Sequence, residues 1–476
     1  MVTTEPEAGI LDRTFGNLRR AWAGLSDQTR QMFWKELRAD LPDDDLARIR
    51  TQMTECLEAR GGEISARSRA AELGRSYLSL DADGRTRFLE LMASEFGTDR
   101  ARIDSAVEAL KNADVEHRYQ AELALSEALE PSWRQLLTRF TALPEGVKFL
   151  VDLRADLLTY NRQSSSLDPL TIDLKKILES WFDIALLEMR QIDWSSPAAL
   201  LEKLIAYEAV HEIRSWADLK NRLDADRRCF AFFHPKMPDE PLIFVEVALV
   251  SGLAGNIAEL LDESDPAFDA GKADTAIFYS ISNAQQGLGG ISFGNFLIKR
   301  VVDVLSHELP NLRTFATLSP IPGFAKWLAE QGDEVLLSAT ERRTLQRAID
   351  ADGMTAAEGD ETPGVNDVRL IDRCLAAMDQ SGVDDSLRPI LLRLCGRYIA
   401  EEKGRGGRAR DPVAHFHLSN GARVERINWL GDTSPKGLRQ SHGLMVNYLY
   451  KLSDIENNHE QYVSGGPVAR ARNITD

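Results

Sequence analysis

The chain lacks any apolar run approaching the roughly 20 residues that cross a bilayer, so no membrane span is expected. Cysteine is scarce: Cys56, Cys229, Cys374 and Cys395 lie far apart with no CxxC pair. That spacing argues against a disulfide framework and against a thiolate zinc site. An excess of basic charge is missing too. The net charge of −17 disfavours nucleic acid and anionic membrane as partners, which both require a basic surface. It leaves an anionic small substrate open, because a local basic pocket fits in an acidic protein. The start, MVTTEPEAGILDRTF, has neither the basic-then-apolar order of a secretory signal nor the acid-poor composition of a transit peptide, given Glu5 and Glu7. The final RNITD is not a peroxisomal tripeptide. The expected location is the cytoplasm.

What is present divides in two. A length of 476 residues exceeds what one core usually organises, so two domains are expected. Up to about residue 190 the pattern is helical. Phe15, Leu18, Trp22 and Leu25 share one helix face, as do Phe88, Leu91, Met92 and Phe96, and again Trp133, Leu136, Leu137 and Phe140. Gly61-Gly62, Gly84 and Pro144 read as joints. An all-α bundle over 1–190, serving as scaffold and assembly domain, is the expectation. A faint likeness between LSDQTRQMFWKELRADL and LSLDADGRTRFLELMASEF is what two amphipathic helices give by chance.

From 191 to 476 the texture changes. Arg228–Phe233, LIFVEVAL at 242–249, TAIFYSIS at 275–282 and LRTFATL at 312–318 read as strands, with HPKMPDEP as the turn between the first two. FGNFLIKRVVDVLSHEL is an amphipathic helix from about 294 to 309, so the second domain is expected to be mixed α/β. A polar loop is expected at 352–366, and VAHFHLSNGARVERINWL reads as strand-like.

Three segments could carry chemistry. The turn from Asn283 to Asn295 is rich in glycine and precedes a helix, which suits phosphate and equally suits a plain connection. It matches neither GxGxxG nor a Walker A loop. Ser319 ends a strand ahead of Pro320 and Pro322; taken alone it reads as a helix N-cap, and GxSxG is missing. His415 and His417 would share a face if AHFHL is a strand, as a metal pair, one functional histidine or a core histidine; no clustered Cys or carboxylate completes a ligand set. His442 carries the same ambiguity, and the basic, glycine-rich 403–412 stretch reads as a solvated loop or a contact for phosphates.

In this order and at these intervals, SISNAQQGLGGISFGNFLIKRVV, TLSPIPGFAKWL, DPVAHFHLSNGARVERINW and GLMVNYLYKL resemble the malonyl-CoA decarboxylase family. The resemblance implies a helical amino-terminal domain and a catalytic domain of the GNAT acetyltransferase fold. It implies that Gly289, Gly290, Ile291, Ser292, Phe293, Gly294 and Asn295 form the CoA-binding loop. Relative to the pattern Q/R-x-x-G-x-G/A, Gly289 and Ser292 depart and Gly294 is kept; relatives can carry glutamate where Ser292 stands. Ser319 falls on the family's catalytic serine, His417 on its catalytic histidine and Tyr450 on an active-site tyrosine. The implied reaction converts malonyl-CoA to acetyl-CoA and CO2 with no cofactor and no metal, since the thioester is itself the electron sink. His417 would protonate carbon 2, Ser319 would hydrogen-bond the malonyl group, and Tyr450 would orient one of them. Self-association through the helical domain, as dimer or tetramer, goes with the family. A GNAT-type acyltransferase, a non-catalytic CoA-thioester sensor and a metal-dependent hydrolase using the HFH pair remain the alternatives.

Overall fold

The computed structural model describes residues 37–58, 62–161, 165–182, 186–291, 296–351, 369–378 and 381–474. The Phe15–Leu25 face, most of the first repeat-like segment and the 352–366 loop lie outside the described residues. Two compact units result. One comprises Met1–Glu188 with Phe232–Leu242 and Asn283–Ser292; the other comprises Met189–Ala231, Ile243–Ser282 and Phe293–Asp476.

The first unit is helical: α1 (Asp43–Glu58), α2 (Gly62–Leu78), α3 (Ala82–Glu95), α4 (Arg100–Asn112), α5 (Arg118–Ala128), α6 (Ser132–Phe140), α7 (Gly146–Tyr160) and α8 (Asp168–Trp181). Phe88, Leu91, Met92 and Phe96 are buried, as are Trp133, Leu136, Leu137 and Phe140. The 3.6-residue spacing therefore reported the core-facing stripes correctly. Tyr77 sits edge-on to Phe88 and Phe149, with ring centroids 5.0 and 5.8 Å away. Gly84 is not a joint. It lies in the first turn of α3, donates to the N-cap Asp81 at 2.9 Å, and a Cβ there would stand 2.1 Å from the Ala39 carbonyl oxygen. Helix α7 is buried nearly all round, including Lys148, Asp152 and Arg154.

The sheet comprises β1 (Glu188–Ile192), β2 (Arg227–His234), β3 (Met237–Val250), β4 (Thr275–Asn283), β5 (Thr314–Thr317), β6 (Ser319–Pro320), β7 (Arg423–Asn428) and β8 (Met445–Leu449). Its order is β1-β2-β3-β4-β5-β8-β6, with β7 also on β8. β4 and β5 are parallel, so a crossover must join them, and helix α9 (Phe296–Glu308) lies in that connection. β5, β6 and β7 all pair antiparallel with β8. The two-domain α+β architecture stands, with β4 a central strand that leads into the glycine-rich turn.

Two local expectations are corrected. The turn between β2 and β3 is short: β2 ends at His234 and β3 starts at Met237, so most of HPKMPDEP is strand. The His234 ring accepts the Lys236 N–H at 3.1 Å and closes that turn. The second correction concerns AHFHL. Residues Pro412–Ser419 form helix α11, after α10 (Phe324–Ala329), and strand begins only at Arg423. The reason is local. Asp411 accepts from the Val413 and Ala414 N–H groups at 2.9 and 3.0 Å, and Pro412 occupies the first helical turn. An aspartate cap followed by proline is a helix start, and it outweighs the β-rich composition.

Candidate active site

Ser319 and Thr317 share one face of the interrupted strand formed by β5 and β6. The two pieces keep a single register against β8, with Ala316 opposite Leu449 and Ser319 opposite Val446. Ala316, Leu318 and Met445 turn the other way, into an apolar cluster with Ile277 and Tyr279. At Thr317 the ladder opens: the Thr317 hydroxyl accepts the Tyr448 N–H at 3.1 Å, and the Asn447 amide donates to the Thr317 carbonyl at 2.7 Å. Ser319 is therefore not an N-cap. Its backbone pairs in the sheet, and α10 starts at Phe324 with Gly323 at the cap position.

The Ser319 hydroxyl donates to Thr317 Oγ1 at 2.8 Å and lies 3.0 Å from His417 Nε2. On the far side of the ring, His417 Nδ1 is 2.8 Å from the Tyr450 hydroxyl. The imidazole stacks on Tyr448 at 4.5 Å between centroids. Ser319, His417, Tyr450, Thr317 and Tyr448 are all buried. Burial raises the Tyr450 phenol well above its ordinary range, so it keeps its proton. Tyr450 O–H to Nδ1, Nε2–H to Ser319 and Ser319 O–H to Thr317 then make one consistent chain. Tyr450→Phe removes the partner of Nδ1 and is expected to lower turnover about tenfold with unchanged CoA affinity. Steady-state kinetics and calorimetry on the same preparation check this.

Burial pushes the His417 pKa down to about 3, so the ring is neutral in the free protein. The unfolded chain takes up this proton below about 6.5, and the native protein refuses it until the lower value. His417 thus removes stability as pH falls through that window and contributes nothing above it. Denaturant titrations across the window are expected to show a shallower acid loss in His417→Asn than in the parent.

The sequence-predicted residues separate into three groups. Ser319, His417 and Tyr450 come together. Gly289, Gly290 and Ile291 belong to the other unit, and Ser292, Phe293, Gly294 and Asn295 lie outside the described residues. The two remaining histidines are elsewhere. On a helix His415 and His417 diverge, and His415 Nδ1 is 2.9 Å from the Tyr462 hydroxyl, which accepts the Ala409 N–H at 2.8 Å. His442 is a left-handed cap residue with φ 52°, edge-on to Phe324. In the 403–412 stretch, Gly406 and Gly407 both take φ +73° and Arg410 pairs with Glu330. Among the described residues no group of three His, Cys, Asp or Glu is placed to hold a metal ion.

Thr317, Tyr448 and Asp411 were missed from sequence. The first two stand two residues from Ser319 and Tyr450, which is the spacing for a shared strand face. Asp411 ties the site together: besides capping α11 it accepts the Gly323 N–H at 3.2 Å.

Comparison with known proteins decides the family. The model of the malonyl-CoA decarboxylase C-terminal domain matches residues 185–476, and that of the N-terminal domain matches 96–182. The chain belongs to the malonyl-CoA decarboxylase family. It is 39% identical over 418 residues to the mitochondrial malonyl-CoA decarboxylase of Anser anser anser, covering 84% of this chain and 81% of that one. With the mitochondrial enzyme of Mus musculus it shares 36% identity over 413 residues, 83% of this chain and 82% of that one. Among solved structures, the malonyl-CoA decarboxylase of Rhodopseudomonas palustris superposes with a TM-score of 0.79 at 44% identity, over 90% of this chain and 99% of that one. That of Agrobacterium vitis gives 0.76 at 42%, over 90% and 98%. Among the described residues no helix is long and apolar enough to cross a membrane.

Proposed function

We propose that this chain releases CO2 from malonyl-CoA without a cofactor, leaving acetyl-CoA, and that Ser319, His417 and Tyr450 do the chemistry. The observation that carries the reading is the buried Tyr450–His417–Ser319 chain, made of the three residues that the family resemblance marks for the active site. Loss of CO2 leaves an enolate spread over the thioester, which needs a hydrogen-bond donor at oxygen and a proton at carbon 2. Ser319 donates to the malonyl group. His417, neutral in the free protein, gains its proton with the substrate, because a malonyl carboxylate beside the ring favours imidazolium. The imidazolium then gives that proton to carbon 2 and returns to its neutral form. Tyr450 at Nδ1 keeps Nε2 aimed at the reaction.

In the same proposal the Gly289–Asn295 turn binds CoA. The helical unit mediates self-association, supported by the exposed Val115, Tyr119 and Leu123 around the α4–α5 hairpin. The protein acts in the cytoplasm; fractionation tests this, since the named relatives are mitochondrial. The test of the activity is CO2 release from malonyl-CoA by the purified, chelator-treated protein with no amine acceptor present. Release at an enzymatic rate is expected. Acyl transfer to an added amine without CO2 release in its absence would replace this reading by an acyltransferase, and tight binding without turnover by a sensor.

A further inference from the structure

Arg154 is a buried cation with no counter-ion among the described residues. The residue is 2% exposed, midway along α7. Among the described residues no carboxylate lies within ion-pair distance of its guanidinium, and its Nε has no partner. Glu179, the carboxylate whose charge reaches it, is half exposed and already paired with Lys175 at 3.1 Å. An uncompensated buried charge is costly and is rarely kept for packing alone.

What the guanidinium does hold is the glycine-rich turn. One Nη donates to the Gly287 carbonyl and the other to the Gly289 carbonyl, the latter at 3.0 Å. The turn also lies directly on the helix backbone, because a Cβ at Gly287 would stand 1.8 Å from the Val151 carbonyl oxygen. Gln285 fastens its start by donating to the Pro241 carbonyl at 2.9 Å. At Gly290 there is room. Gly290 takes φ +73°, and nothing lies within 4 Å of where its Cβ would be. Since the peptide plane sets C=O and the next N–H in opposite directions, a Gly289 carbonyl drawn toward Arg154 turns the Gly290 N–H away from it.

We infer that Arg154 is a positioning residue for CoA binding: the helical unit pins the turn from one side, aims its backbone N–H outward, and lends it an unneutralised positive charge that favours the phosphates of CoA. This rests on the proposed assignment of the glycine-rich turn to CoA, and concerns only its described residues 285–291. It gives the helical half a part in binding substrate beyond scaffolding. A planar fork suits two carbonyls in a way a lysine does not, so Arg154→Lys separates charge from geometry and Arg154→Met removes both.

Both variants are compared with the parent for kcat, KM and CoA affinity, alongside hydrogen exchange of the 284–291 peptide with and without CoA. The expected result is a rise of about tenfold in KM and in the CoA dissociation constant for Arg154→Lys, a larger one for Arg154→Met, and kcat within about twofold of the parent. Retention of kcat follows because Ser319, His417 and Tyr450 belong to the other unit. A fall in kcat with KM unmoved, or no change in either variant, overturns the inference and leaves Arg154 a fold residue. If Arg154→Met does not fold, Arg154→Lys decides. Should CoA fail to protect the 284–291 peptide in the parent, the assignment of the turn falls and the inference with it. Protection in the parent with undiminished CoA affinity in both variants refutes Arg154 alone.

Discussion

His417→Asn is expected to turn malonyl-CoA over about 10²–10⁴ times more slowly than the parent while binding CoA as tightly. The carboxamide is smaller than the ring and still donates a hydrogen bond, but it has no proton to give to carbon at neutral pH. Its neighbours sharpen the expectation. The ring sits between Tyr450 and Ser319 and against Tyr448, so Asn leaves a void beside a buried phenol that has lost its partner. In the proposed mechanism the step that suffers is protonation of the enolate, and the enolate is formed only when CO2 has gone. Binding of the nucleotide and pantetheine is untouched by that step, so kcat and CoA affinity should part company. Purified His417→Asn protein assayed for CO2 release and for CoA binding decides the matter; near-normal turnover removes His417 from the chemistry. A second readout follows from the burial of the ring. If the substrate carboxylate brings the proton in, binding of a malonyl-CoA analogue that cannot lose CO2 takes up about one proton near neutrality in the parent and none in the variant. Calorimetry in buffers of different ionisation enthalpy measures that uptake.

How far the chain could be read in advance depended on which physical signal each segment carries. Helices of the first unit announce themselves because their apolar positions follow the 3.6-residue period, as at Phe88–Phe96 and Trp133–Phe140. Helix α11 does not. It has eight residues, too few to show a period, and its histidines and phenylalanine alternate like a strand. The Asp411-Pro412 pair was the available signal, and it is a local one. Ser319, His417 and Tyr450 were placed by the order of whole segments rather than by their own surroundings. Taken singly, each composition fits a structural residue as well. Arg154 was illegible for a different reason: its partner carbonyl at Gly287 lies 133 residues away in sequence, and a carbonyl leaves no mark on side-chain composition. The Ser292 and Gly289 departures from the CoA-loop pattern say what is changed in the turn, whereas its support from α7 shows only in three dimensions.

Asp411→Ala is expected to cost about 3–5 kcal/mol of stability and to take most of the activity with it. Asp411 is fully buried and answers four donors: the N–H groups of Val413, Ala414 and Gly323, and the Tyr398 hydroxyl. Alanine leaves all four facing a space that water fills poorly. The site is tightly packed, since a Cβ on Gly323 would stand 2.1 Å from the Tyr398 hydroxyl. The consequence for function is geometric. One carboxylate oxygen starts the helix that carries His417, and the other holds the chain four residues beyond Ser319. Both halves of the Ser319–His417 contact are therefore hung on one side chain, and a shift of about 1 Å between them suffices to cost about a hundredfold in rate. Asp411→Asn makes the finer test, since its oxygen still caps the helix while its amide opposes the Gly323 N–H. It should retain most of the stability and lose activity through misplacement. Denaturant midpoints and CO2 release measured on the two variants check this, and a loss below about 1 kcal/mol with turnover intact in Asp411→Ala refutes the role.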